Sequence, residues 1–170
     1  MAAKSKAEVT TFDELCLEGL KDIYDSEHQI AEALPKMASV ATNAELKGAF
    51  NTHLAQTNEQ ITRLEKVFEL LGEKAERKSC VATKGLIAEG NEHIKETAKG
   101  PLLDAALIEG AQKIEHYEIA GYGTARTYAK QAGKTEVAAL LDETLKEEEE
   151  TDRILTGIAE SVINPAAASK

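Results

Sequence analysis

The chain has 170 residues, enough for one well-buried domain and too few to expect two. Aromatic residues make up 4 %, tryptophan is absent and there are three prolines, a composition that excludes a sandwich and reads as long packed helices, so the fold class is all-α. A formal net charge of −10 removes the basic face that nucleic acid or an anionic membrane would need. No run of eighteen apolar residues spans a bilayer. Residues 1–8 (MAAKSKAE) lack the apolar core of a signal peptide, and Cys16 and Cys80 have no CxxC spacing. A cytoplasmic protein with two unpaired, small core cysteines is the expectation.

Residues 1–10 are polar, and Thr11 or Asp13 can cap a first helix over 11–41. Its apolar stripe runs Cys16, Leu20, Ile23, Glu27, Ile30, Leu34, Met37 and Ala41 in alternating steps of four and three, with Glu27 the only charged member. Pro35 removes a backbone hydrogen bond and predicts a bend near the end, before a turn at Thr42-Asn43. A second helix over 44–71 turns Leu46, Phe50, His53, Thr57, Ile61, Leu64, Phe68 and Leu71 inward, and Gly72 stands where a C-cap belongs. Residues 73–100 break the rhythm: a charged linker, a shorter helix from about Cys80 to Thr97, then Gly100-Pro101 as stop and restart. A connection of that length returns the chain along a whole bundle, where a tight turn would only join neighbours.

The third long helix begins at Pro101, suited to a first helical position, and runs to Gln131. Its core stripe is interrupted by Glu115 and Glu118, three apart and therefore on one face. The fourth covers 134–163 with Val137, Leu141, Thr144, Glu148, Thr151, Leu155, Ile158 and Val162 inward, and Asn164-Pro165 ends it.

Heights follow from counting away from the turns. Glu27 and Thr57 lie fifteen residues either side of Thr42, and Glu118 and Glu148 fifteen either side of Gly133. Fifteen residues is about 22 Å, so Glu27, Glu118 and Glu148 are expected to meet at mid-height. One turn nearer the first hairpin, His53, Glu115 and Asp152 form a second layer. Five carboxylates and an imidazole inside an apolar bundle need protons or cations between them. Oxygen-rich ligands with one imidazole suit iron, with manganese as the alternative, and two layers suit a pair of ions. The candidate ligands are Glu27, His53, Glu115, Glu118, Glu148 and Asp152.

The segments DIYDSEHQI, HLAQTNEQITRLEKVFELLG, CVATKGLIAEGNE, IEHYEIAGYG and TLKEEEETD also carry a resemblance covering nearly the whole chain. It resembles the YciE/YciF-type ferritin-like stress proteins, catalogued as a domain of unknown function. The resemblance implies a ferritin-like four-helix bundle with one long crossover and an added short helix, a rubrerythrin-like di-metal centre, a homodimer and a part in bacterial stress responses; it implies no known reaction. One departure stands out. Ferritin-like di-iron sites take a Glu-x-x-His from each of two helices, and this chain has none.

Within the charge run 147–150 only Glu148 falls on the stripe, Glu147 being the neighbour a small helix rotation would substitute. His116 points about 100° away from Glu115 and reads as a neighbour of the ligands or as a surface residue. Tyr24, Tyr117 and Tyr122 flank the polar layers, with core packing as their first role. Two functions of different class remain: a dinuclear iron or manganese oxidoreductase acting on oxygen, peroxide or iron, and a metal-free structural bundle with its acids protonated or paired.

Overall fold

The computed structural model describes residues 8–169, and among them there is no strand. Six helices follow in order: α1 Phe12–Val40, α2 Ala44–Leu71, α3 Val81–Glu96, α4 Pro101–Gln131, α5 Thr135–Ile158 and α6 Asn164–Ala168, with a π turn over Ala159–Ile163 joining the last two. Helix α1 starts in a capping box: the Glu14 amide donates to Thr11 Oγ1, and Glu14 Oε2 accepts from the Thr11 amide. Asn43 Oδ1 caps α2 by accepting from the amides of Glu45 and Leu46. Gly72, at φ 72°, closes α2 in the left-handed conformation that only glycine adopts without strain.

Two hairpins result, α1–α2 and α4–α5, with their turns at opposite ends. Asp104, at the start of α4, reaches the α1–α2 turn and accepts from the amides of Thr42 (2.7 Å) and Asn43 (3.0 Å) and from the Thr42 hydroxyl. So α2 and α4 begin at the same end and run parallel, which is what the long crossover permits. The crossover is tied to α1 at Asp25, which accepts from Arg77 Nε at 2.8 Å, the Cys80 amide at 2.7 Å and Gln29. Burial pushes the Asp25 carboxyl up, but these donors outweigh it and hold it below its usual range. Cys80 is buried and unpaired and caps α3, Cys16 is half-buried, and Ser26 and Thr83 share a hydrogen bond from α1 to α3.

Helix α1 runs through the exposed Pro35 to Val40, as the sequence reading has it. The end of the last helix needs correction: Asn164-Pro165 does not stop it. The π turn shifts hydrogen bonding to i−5, with the Asn164 amide on the Ala159 carbonyl, and leaves Pro165 in the first turn of α6, where no donor is required. The same wide turn rotates the stripe, so Ile163 is buried and Val162, expected inside, is exposed.

The core is not continuous. One apolar cluster fills the end near the α1–α2 turn with Leu34, Phe50, Leu107, Leu155 and Ile158, and a second fills the other end with Ile23, Leu64, Phe68, Leu141 and Val137. Each such side chain contributes about 1.5–3 kcal/mol by burial, so the ends carry the stability. The middle is left to polar groups.

Candidate metal centre

Every long helix sends polar side chains into that middle layer. Helix α1 brings Glu27, α2 brings His53, Thr57 and Gln60, α4 brings Glu115 and Glu118, and α5 brings Thr144, Glu148 and Thr151, all buried. Glu27 and Glu148 are 0 % exposed. Helices α1 and α4 approach closely just below, where a Cβ on Gly121 would stand 3.3 Å from Ile23 Cγ1. That approach lets the adjacent Tyr122 hydroxyl donate to Glu27 Oε1.

His53, Glu115, Glu118 and Glu148 can each offer a ligand atom such that all four atoms lie within 4.8 Å of one another. His53 Nε2 is 3.3 Å from Glu115 Oε1 and 4.0 Å from Glu148 Oε2. Burial holds His53 down at about 4, although Gln56 and Glu147 pull the other way, so its ring is neutral at neutral pH. The tautomer follows from Thr151. Its hydroxyl donates to the Glu147 carbonyl at 3.0 Å, so toward His53 Nδ1, 3.5 Å away, it acts as acceptor and keeps the ring proton on Nδ1. The Nε2 lone pair then faces the carboxylates.

In this layer five buried ligand-type atoms have no hydrogen-bond partner within the protein: Glu27 Oε2, His53 Nε2, Glu115 Oε2, Glu118 Oε1 and Glu148 Oε2. Gln60 Oε1 is a sixth buried acceptor without one. The Gln60 amide is oriented by its nitrogen, which donates to Glu148 Oε1 and to Glu147 Oε2, and the reverse orientation would set oxygen against two carboxylates. Electrostatics agrees. Burial pushes the carboxyls of Glu27, Glu115 and Glu118 well up, and the neighbouring carboxylates push them further. Burial also raises Glu148, to about 7, against hydrogen bonds from Glu115 and Gln60. Without cations, protons hold this layer together.

The donor set fits hard or borderline divalent cations: buried carboxylate oxygens, one neutral imidazole nitrogen and no thiolate. Four buried glutamates carry four negative charges when ionised, which two divalent ions would balance. The guanidinium that comes near, Arg63, is engaged by Glu147 and Glu143.

Of the six candidate ligands, the structure brings His53, Glu115, Glu118 and Glu148 together, with Glu27 close enough to raise Glu115 and Glu118. Asp152 stands apart on the α4–α5 rim. It accepts from Gln112 Nε2 at 2.9 Å and lies 3.3 Å from His116 Nε2, with the two side chains 23 % and 69 % exposed. Glu147 is held by Arg63 at 2.8 Å, leaving Glu148 as the inward residue. Sequence reasoning missed Gln60, whose signal was its place three residues after Thr57 on the inner stripe, and the roles of Thr151 and Tyr122 as partners of His53 and Glu27.

The family described as "Domain of unknown function (DUF892)" matches residues 11–168. The chain belongs to this family. It is 45 % identical over 161 residues to Protein YciF of Escherichia coli (strain K12), covering 94 % of this chain and 97 % of that protein. The crystal structure of the E. coli stress protein YciF superposes with a TM-score of 0.88 at 45 % identity, over 92 % of this chain and 99 % of that one. YcfI of Rhodopseudomonas palustris gives 0.86 at 42 % identity, over 88 % and 95 %. The fold is ferritin-like. A ferritin-like, diiron-carboxylate protein of Bacillus anthracis shares it with a TM-score of 0.68 over 88 % of this chain and 99 % of that one, at 15 % identity, a level that speaks to fold alone.

Proposed function

We propose that this chain is a ferritin-like metalloprotein that holds two divalent ions, iron or alternatively manganese, for stress-related oxygen, peroxide or iron chemistry. The observation that carries the reading is the set of unpartnered, buried carboxylate oxygens converging with the neutral His53 Nε2. Such a set costs several kcal/mol when ionised unless cations neutralise it. His53, Glu115, Glu118 and Glu148, with Glu27 beside them, are the residues that would hold the ions. Bound iron or manganese would supply the redox couple.

The protein's own residues have separate tasks. Thr151 fixes the His53 tautomer, Gln60 orients Glu148, and Tyr122 orients Glu27 while holding a proton against it. The apolar clusters above and below exclude water. Asp152, on the rim beside Glu115 with His116 against it, is the outermost member of the expected ligand set and suits an ion on its way in.

A metal-free bundle is the second reading, favoured by the upward push that burial gives the Glu27, Glu115 and Glu118 carboxyls, which protons alone can neutralise. Metal content after anaerobic ferrous or manganous loading, with melting before and after, separates the two. The metalloprotein reading expects near two ions per chain and a higher melting temperature, since a ligand bound only by the folded state stabilises it by about 2.7 kcal/mol at a hundred times its Kd. Glu118→Gln should remove most of that rise. Identical melting of chelated and loaded native protein overturns the reading.

A further inference from the structure

A cleft of about 230 Å³ opens on the face where α2 meets α5. Its mouth includes the exposed Thr52 and Ile154, its walls include Phe50, Ala111 and Ile158, and its lining includes the buried His53 and Glu115. Those last two belong to the acid cluster as well. A molecule seated in the cleft therefore lies directly against the cluster.

We propose that this cleft is the substrate site of the centre and takes an uncharged molecule with an apolar chain of about six to eight carbons ending in an O–H group, as in an alcohol or an alkyl hydroperoxide. The length follows from volume: a buried apolar cavity of about 150 Å³ already accepts a benzene ring. Apart from Glu115 at its inner end the cleft carries a carboxylate only at the rim, Glu45, and its lining is largely apolar, so a hydrated ion entering it would exchange much of its water for apolar side chains. In the metal-free protein an anionic head would be buried with no cation beside it, whereas a neutral hydroxyl can donate to the acceptors of the layer. The inference rests on the metal-centre reading for the use made of the molecule, and not for its seating.

The test is done on the full chain after chelation, and again after manganous loading, with 1-heptanol, heptyl hydroperoxide and heptanoate as probes. Binding is read from amide NMR shifts of α2 and α5 in the chelated protein and from calorimetry in the manganous protein. Heptanol and the hydroperoxide should bind saturably, in the chelated protein with shifts centred on Phe50, His53 and Ile154 and with heptanoate at least tenfold weaker, and the tighter of the first two names the natural head group. Ala49→Phe, at the half-buried edge of the cleft, should weaken heptanol at least tenfold while leaving manganese binding unchanged. Thr52→Trp, on the exposed rim, makes the same test without touching the core. Manganese binding with no saturable heptanol shift overturns this inference and leaves the metal reading standing; heptanol binding without any metal uptake does the reverse. A change of oligomeric state in Ala49→Phe or Thr52→Trp, with no alcohol bound by the native chain, would make this face a subunit contact and also overturn it.

Discussion

Replacing Glu148 by Gln tests the electrostatics of the middle layer without depending on any metal. In the folded, metal-free protein burial raises the Glu148 carboxyl to about 7 from its ordinary 4.5. The folded chain thus holds this proton more tightly than the unfolded chain. Stability from this group is fully present below pH 4.5 and is lost as pH rises through 7. At about 1.4 kcal/mol per pH unit, the loss is about 3 kcal/mol by pH 8. Glutamine has no proton to lose, and its oxygen can still accept from Gln60. Glu148→Gln should therefore gain on the native protein as pH rises from 5 to 8, by up to about 3 kcal/mol, or about 6–12 °C in melting temperature for a domain of this size. Differencing the two proteins cancels the opposite titration of His53, which is common to both. The assay is urea unfolding in chelator at pH 5, 6, 7 and 8. With ferrous or manganous ions present the sign should reverse, because the variant has lost a charged ligand. An advantage that fails to grow with pH under chelation would refute the account of buried, mutually repelling carboxyls.

Thr151→Val should keep the fold yet weaken manganese binding about 10- to 100-fold in a titration, because the His53 ring loses the acceptor that fixes its proton. Asp104→Ala removes three hydrogen bonds to the α1–α2 turn and should cost about 3 kcal/mol in denaturant unfolding, with metal stoichiometry unchanged in the folded fraction. Gly72→Ala places a Cβ at φ 72° and should lower stability by roughly 1 kcal/mol, visible as a melting shift of a few degrees.

Much of this architecture is written in the chain. Alternating steps of four and three mark α1, α2 and α5, and Asn43, Gly72 and Pro101 mark where helices start or stop, because these are local consequences of helical period and backbone chemistry. The height count, which needs only the rise per residue and a long crossover, anticipated that Glu118 and Glu148 would stand in one cluster. Rotation about the helix axis was beyond it. From Glu148, Thr151 lies about 60° to one side and Asp152 about 40° to the other, both within the width of a buried stripe. Packing of α5 against α2 and α4 turned Thr151 to His53 and left Asp152 with Gln112 and His116 on the rim. The same ambiguity hid Gln60 beside Ile61, and there the bundle buried both. The π turn at Ala159–Ile163 was likewise invisible, since Asn-Pro ends a helix by local rules unless a wider turn can place proline where no donor is needed. Periodicity fixes which residues can face inward; only the packed neighbours decide which of two adjacent candidates does.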